Sequence, residues 1–336
     1  MTQERILMAH GSGGLMSQHL IDEVFKQAWQ NEIMEPMLDG AVFAVPAGRL
    51  AMSTDSFVIT PLFFPGGDIG KLSICGTVND LLACGATPLY LSTAFIIEEG
   101  MMIDDLRKIA ASMAKTAREA GVKLVTGDTK VVEKGSADGV FINTTGIGVI
   151  PEGIDYRPGR IRSEDKIIVT GFVGDHGLAI LARREGLTFS TPTVSDCAPL
   201  CQLKDMICKY GDAIKCMRDP TRGGLATVLN EIAVQANVAI RVKESAIPVA
   251  PAVQGACDML GMDPLYMANE GKMVIFVAAA AAQSLLADLR MLSPMQNAAI
   301  IGQVNEEPSG MVLIETELGA ERILGILEGE HVPRIC

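Results

Sequence analysis

The chain has 336 residues, more than one hydrophobic core usually holds, so two packed domains are expected. Forty acidic against 28 basic residues leave a formal charge of −12, which argues against nucleic acid or anionic lipid as a partner held by bulk charge. The most apolar run, Met273–Ala282, is too short to span a bilayer, the N-terminus lacks a basic leader, and eight cysteines are too dilute for a disulfide scaffold; the expectation is a soluble cytoplasmic protein.

In chain order, Gly11, Gly13 and Gly14 beside His10 and Ser12 predict a stretch to about Ser17 that stays mobile until something orders it. Leu20, Val24 and Ala28 then repeat at helical spacing. Ala41–Val45 and Leu50–Ser53 read as short strands around a Pro46–Gly48 turn. Asp68 follows Pro65-Gly66-Gly67 and is placed to cap a helix ending near Gly85. Leu89–Ile97 reads as a strand. Leu106, Ala110, Met113 and Ala117 line one face of a helix over Ile103–Ala120. Val122–Val125 reads as a buried strand running into Gly127-Asp128, and Gly139–Ile150 as a longer one.

The basic turn Tyr156–Arg162 marks a seam. Lys166–Thr170 opens a second unit, whose Gly171–Gly177 loop feeds a helix. A mixed region leads to DPTRGGLATVLNEIAVQAN, where Leu225, Val228, Leu229 and Ile232 repeat at helical spacing. Val274–Ala278, Ala299–Val304 and Val312–Ile314 read as strands, with a helix over Ala281–Leu289. Glu328–Cys336 is polar, contains Pro333 and predicts a flexible tail. Strands and helices alternate loosely in both halves, which favours two α/β or α+β domains of about 150 residues each. The organisation that follows is a flexible glycine-rich N-terminus with a first helix (1–40), an N-terminal domain (41–155), a C-terminal α+β domain (156–325) and a mobile tail (326–336).

Four aspartates, Asp55, Asp68, Asp80 and Asp128, read as flanking turns at the ends of apolar elements. Any one is commonly a cap or a solvated turn. Together, with Lys130 and Lys134 nearby and Lys71 in a first helical turn, they suggest a metal–phosphate site, since such a site needs several hard oxygen ligands and a mobile positive charge. Asp219, Arg222 and Gly223 stand just before a helix, where backbone N–H groups can receive an anion; the bland alternative is an ordinary helix start. His176, within a glycine-rich loop that lacks the dinucleotide spacing, is either a base or a structural histidine. Glu270 either accepts a proton or caps a turn. Cys197, Cys201, Cys208 and Cys216 lack a close C-x-x-C pair and read as ordinary thiols before a zinc or iron–sulfur set. Cys336 ends a polar arm that spans roughly 20–25 Å when extended, enough to carry a reactive sulfur into a neighbouring cleft.

TDSFVITPLFFPGGDIGKLSICGTVNDLLACGA, GDTKVVEKG, DPTRGGL, ANEGK and the final PRIC resemble the HypE family, within the superfamily that includes PurM, ThiL and selenophosphate synthetase. The resemblance runs over essentially the whole chain, and PRIC is its specific element. It implies a PurM-like (AIR synthetase-like) two-domain fold and a homodimer whose N-terminal domains form a central β-barrel. It implies ATP bound mainly by the N-terminal domain, with Mg²⁺ held by Asp55, Asp80 and Asp128 and with Asp68 a further acidic position nearby. The implied reaction dehydrates a carboxamide on Cys336 to a thiocyanate, supplying cyanide for [NiFe]-hydrogenase assembly. Its partners would be the carbamoyltransferase HypF and the acceptor pair HypC–HypD. Lys134, Glu270 and His176 are then candidates for charge and proton handling. Rival readings are another ATP-dependent activator of the superfamily, such as a selenophosphate synthetase, and a non-enzymatic carrier that only presents Cys336.

Overall fold

The computed structural model describes residues 4–35, 40–189, 191–327 and 334–336. The polar run from Glu328 and Pro333, read above as a flexible arm, lie outside them. Alternating buried and open positions build the first sheet from β1 (Arg49–Phe57), a two-residue pair β2 (Phe63–Phe64) and β3 (Gly67–Asp68) set beside it, then β4 (Thr87–Glu98), β5 (Lys123–Val132) and β6 (Val140–Ile150). The four long strands lie in the order β1-β6-β4-β5, with only β4–β5 parallel. Asp55 pairs with Thr144, Thr144 with Thr93, and Thr93 with Gly127.

Ahead of this sheet, α1 (Leu15–Leu20), the π-helical turns Ile21–Lys26 and α2 (Gln27–Trp29) run end to end, and Phe25 and Trp29 pack on Phe95. Within the stretch expected to be mobile, Ile6 is fully buried and donates its N–H to Met101 O (2.8 Å). No strand forms over 41–45; Phe43 instead stacks against Tyr90 at 4.2 Å.

Two helices cover one face of the sheet. α4 (Ile103–Ala120) has the predicted bounds and closes on Gly121 at φ 70°, a conformation that suits glycine. α3 (Ile69–Ala83) is capped by Asp68, whose carboxylate accepts from Gly70 N and Lys71 N. All its residues are buried except Lys71 and Asp80. A helix that is apolar nearly all round must be enclosed on all sides, and α3 is: sheet and α4 lie on one flank, the second domain on the other.

The second domain carries a seven-stranded sheet. Its strands are β7 (Lys166–Val169), β8 (Ile214–Arg218), β9 (Ala239–Lys243), β10 (Val274–Val277), β11 (Ala299–Asn305), β12 (Val312–Glu315) and β13 (Glu321–Ile323). They lie in the order β13-β12-β9-β11-β7-β10-β8. Helices α5 (Asp175–Glu185), α6 (Leu203–Tyr210), α7 (Gly224–Ala236), α8 (Pro251–Leu260) and α9 (Ala279–Arg290) complete it. β8, β9, α6 and α8 fall in stretches that sequence patterning left as loop or mixed. Among the described residues no helix is long and apolar enough to cross a membrane.

Asn79 joins the halves. It is buried on α3 and donates to Ala198 O (3.1 Å) and Glu270 O (3.4 Å), while its own oxygen accepts from Leu200 N (2.9 Å). Asn79→Ala leaves Ala198 O and Leu200 N without this partner, while Glu270 O keeps the Ala198 N–H, so it should lower stability by about 2 kcal/mol. Urea unfolding would show this as a reduced midpoint; an unchanged midpoint would remove the latch role.

Candidate functional site

The acidic candidates do not sit at turns. Asp55 lies within β1, Asp128 within β5 and Asp80 within α3; only Asp68 stands at a boundary, as a cap. Gly127, expected at a turn, serves close approach instead, as does Gly76 within α3. A Cβ on Gly127 would lie 2.8 Å from Thr93 O, and one on Gly76 would meet the Phe57 ring at 2.9 Å and Asp55 Oδ2 at 3.4 Å. Gly76 thus lets α3 settle against β1 beside Asp55, and Asp80 follows one turn along the same helix. Asp80 Oδ2 accepts from Ser53 Oγ at 2.6 Å.

Asp219 joins this pair from the second domain, just past β8. Burial raises the pKa of Asp55, with Asp80 adding to it, and burial likewise raises that of Asp80. Asp219 is pushed up to about 7 by burial and then by Asp80 and Asp55. Arg218 and Arg222 are the opposing charges, and Arg218 is itself paired with Glu231 at 3.0 Å. Gly223 and Gly224 start α7 at φ 73° and 62°, and a Cβ on Gly224 would meet Leu265 O at 2.5 Å. The DPTRGG stretch therefore contributes a carboxylate as well as a helix start.

Glu270 is 3 % exposed, and its Oε1 has no hydrogen-bond partner. Burial pushes its carboxyl well above the usual carboxylate range, with Cys197, Asp219, Asp196 and Asp55 adding to the shift. Its backbone is held tightly: the Glu270 and Gly271 N–H groups donate to Asp196, and Asp196 pairs with Lys272 at 2.9 Å in a buried ion pair. Gly271 is required there, because a Cβ would lie 1.9 Å from Asp196 O.

The end of the chain docks into this group. Val58 N donates to Cys336 O (3.0 Å), Arg334 Nε donates to Val58 O (3.0 Å), and Arg184 Nη2 donates to Arg334 O (2.9 Å). Arg334 also pairs with Asp138 at 2.7 Å. The tail thereby continues from the end of β1, the strand that carries Asp55. Burial, then Glu270 and Asp55, push the Cys336 thiol up to about 12, against Arg222.

His176 is fully buried, with Nδ1 2.7 Å from Ser195 Oγ and Nε2 2.8 Å from Ile335 O. Both ring nitrogens are engaged, which leaves neither directed at the Cys336 side chain. Burial lowers its pKa, with Asp196 and the Ile335 carbonyl opposing. Lys71 donates to Gly66 O at 2.8 Å. Lys134 lies in the exposed turn after β5, beside Glu98.

Asp128 stands apart from Asp55 and Asp80, on the edge strand β5, three strands from β1. It pairs with Lys130 at 2.7 Å, which lowers its pKa. Both residues line a cavity of about 290 Å³ walled by Phe25, Trp29 and Phe95, with Thr93 Oγ1 buried and without a partner. Among the described residues no group of three His, Cys, Asp or Glu side chains could hold a metal ion by itself. Cys197 and Cys216 are buried, Cys201 half-buried and Cys208 exposed, all as free thiols, so the zinc or iron–sulfur alternative finds no cluster.

The Asp219 shift sets a pH dependence for the metal-free protein. The folded chain keeps this proton up to about pH 7, whereas an unfolded aspartate loses it near 3.8. Raising the pH through that window therefore costs stability. Asp219→Asn should match wild type near pH 4 and exceed it by roughly 2–4 kcal/mol at pH 8 in chelator. Urea unfolding at both pH values measures the difference, and parallel profiles would contradict the shift.

Comparison with known proteins gives a consistent picture. The family model described as AIR synthase related protein, N-terminal domain, matches residues 38–150, and its C-terminal counterpart matches residues 162–315. The carbamoyl dehydratase HypE of Rhizobium leguminosarum bv. viciae is 49 % identical over 333 residues, covering 99 % of this chain and 95 % of the relative. A crystal structure of the hydrogenase maturation protein HypE in complex with ATP aligns with a TM-score of 0.95 at 47 % identity, over 98 % of this chain and 99 % of that one. A HypE–HypF complex aligns with a TM-score of 0.81 at 48 % identity, over 92 % and 99 %.

Proposed function

This chain belongs to the HypE carbamoyl dehydratases, and on that footing we propose that it converts an S-carboxamide on Cys336 into a thiocyanate at the expense of ATP. The single observation that carries the reading is the docking of Cys336 beside Glu270, a buried acid with an unpartnered oxygen, next to the Asp55–Asp80–Asp219 group. An amide oxygen is a poor leaving group until phosphorylated. In the proposed sequence the carboxamide oxygen attacks the γ-phosphorus of ATP and ADP leaves. The resulting imidate loses phosphate and its remaining N–H proton, forming the carbon–nitrogen triple bond. The balance is carboxamide plus ATP to thiocyanate, ADP, inorganic phosphate and one proton.

Each residue has a physical task in this scheme. Glu270 Oε1 is the available acceptor for the carboxamide N–H₂, since a buried oxygen with no partner gains most from such a donor. Once Glu270 has released its own proton to solvent and phosphorylation has made the nitrogen more acidic, the ionised carboxylate is the candidate to take the nitrogen's proton. Arg222 steadies charge on the phosphate oxygens. Lys134 is proposed to do the same from a turn already tied to the tail through Asp138 and Arg334. Mg²⁺ is proposed at Asp55, Asp80 and Asp219 as a cation that these carboxylates would share with polyphosphate rather than hold alone; Asp80 raises the pKa of both Asp55 and Asp219. When bound, it would neutralise charge on the phosphates. Asp68 and Lys71 support this region by fixing the start of α3.

The homodimer is also a proposal. The face of the first sheet away from α3 and α4 is open, with Leu50, Met52 and Ile96 54 %, 71 % and 44 % exposed. Two such sheets closing face to face would make a barrel and cover this patch. A mate's β5 beside β1 would also carry Asp128 and Lys130 toward the phosphates, which the arrangement within one chain does not do. HypF is proposed as the carbamoyl donor. A docked thiol held protonated is a poor nucleophile, so carbamoylation belongs to a tail swung outward. HypC–HypD are proposed as cyanide acceptors and the cytoplasm as the setting. The selenophosphate-synthetase and carrier readings each leave either Cys336 or the acidic group without a task.

The test loads the protein with HypF and carbamoyl donor, adds Mg-ATP, and follows the C-terminal peptide by mass. Wild type should lose one water on Cys336. Glu270→Gln should accept the carbamoyl group but slow the loss by roughly 100-fold or more. Normal dehydration by Glu270→Gln would remove the proton-accepting role, and loss of water from another cysteine would overturn the Cys336 assignment.

A further inference from the structure

The proposed chemistry uses the Cys336 side chain, but the contact that His176 makes is with the tail backbone. A carbonyl oxygen only accepts, so the 2.8 Å contact to Ile335 O is a hydrogen bond donated by His176 Nε2. Nδ1 must then accept in a neutral ring, and the donor at 2.7 Å is the Ser195 hydroxyl. The Ser195 oxygen is oriented in turn by accepting from Cys197 N at 3.1 Å. Ser195 N donates to Pro65 O in the first domain at 2.9 Å. The Phe64 ring meets His176 edge-on at 5.6 Å and fixes its plane. The ring thus has one tautomer and one orientation, and its free donor is spent on the residue before Cys336.

We infer that His176, held in its tautomer by Ser195, is a positioning residue that grips Ile335 and sets where the Cys336 sulfur lies against Glu270. This rests on the dehydratase reading for its purpose, though not for its geometry. Two backbone contacts bracket the reactive residue: His176 takes the carbonyl before it and Val58 N takes its own. A grip on main chain leaves the sulfur free to carry a substituent. It also separates the histidine from proton transfer. The charged groups nearest the ring, Asp196 with its partner Lys272 and the adjacent Asp175, are buried neighbours that do not reach Ile335.

The experiment compares wild type with His176→Phe, His176→Gln and Ser195→Ala in the full chain. Iodoacetamide alkylation of Cys336 is read by peptide mass, with exposed Cys84 and Cys208 as internal controls of folding, and single-turnover dehydration is read in parallel. His176→Phe fills the space without a donor and should expose Cys336 about tenfold more while slowing dehydration by a similar factor. Its Mg-ATP affinity should not change, and carbamoyl acceptance, which takes the tail outward, should be no slower than in wild type. Glutamine can present an N–H near the Nε2 position, so His176→Gln should recover most of both losses. Ser195→Ala should show the same changes in smaller measure. The pH–rate profile should keep its shape in all three. Cys336 alkylation at the wild-type rate in both His176→Phe and Ser195→Ala would overturn the inference. So would loss of a pH limb in His176→Phe together with rescue by added imidazole, which would make the ring a base. If wild type shows no loss of water while His176→Phe still exposes Cys336, the dehydratase reading fails and the positioning role stands.

Discussion

The enclosure of α3 on every side is the constraint on which the rest depends. A helix with only Lys71 and Asp80 outside the core cannot shift or rotate without opening both domains. Two neighbouring side chains use that rigidity in opposite ways. Asn79 points into the second domain and fastens the 198–200 segment and the Glu270 backbone. Asp80 points at Ser53 and the acidic group. The distance between the acidic group and Glu270 is therefore set by two consecutive residues of one helix, and reaction geometry is only as good as such a support.

Around that support the molecule gathers more negative charge than it neutralises. Asp80 raises Asp55 and Asp219, Asp55 adds to the Asp219 shift, and burial raises Glu270 as well. In the proposed reaction a polyphosphate alone would be repelled here, and a cation would have to be shared between this group and the substrate phosphates. The same environment holds the Glu270 carboxyl well above the usual carboxylate range. Asp196 carries its charge into a closed pair with Lys272 and uses its oxygens on backbone N–H groups. It orients Glu270 without reaching the reacting atoms.

Local signals in the sequence were read well where chemistry was local. The amphipathic repeat over Ile103–Ala120 and the Asp68 cap both stand as expected, because each is decided within one or two turns. Gly127 beside Asp128 reads as a turn and is instead close packing that admits β5 to β4; Gly76, within the expected helix, likewise admits β1 to α3. Single-sequence reasoning cannot separate these, since both need a missing Cβ. β8 and β9 were missed because short buried strands lack a period long enough to see. Asp219 was noted for the helix it precedes, while its carboxylate gained meaning only beside Asp55 and Asp80. Asn79 and Lys272 lie inside the family motifs but had no role of their own there, and Ser195 and Asp196 carried no signal; their partners are up to 191 residues away. The family resemblance, resting on motifs spread over the whole chain, is borne out by relatives near 50 % identity. Asp128, grouped with Asp55 and Asp80 by that resemblance, lies in this chain on another strand with its own lysine.

The central claim is that the Cys336 carboxamide oxygen itself becomes the phosphate oxygen. Carbamoylating Cys336 with a donor whose carbonyl carries heavy oxygen, and then adding unlabelled Mg-ATP in ordinary water, traces that atom directly. The account predicts that the label leaves the tail peptide and appears in inorganic phosphate in step with the thiocyanate, one labelled oxygen for each nitrile formed. Label found in water, with unlabelled phosphate released at the same rate, would contradict it, because ATP would then be hydrolysed beside the carboxamide without activating it.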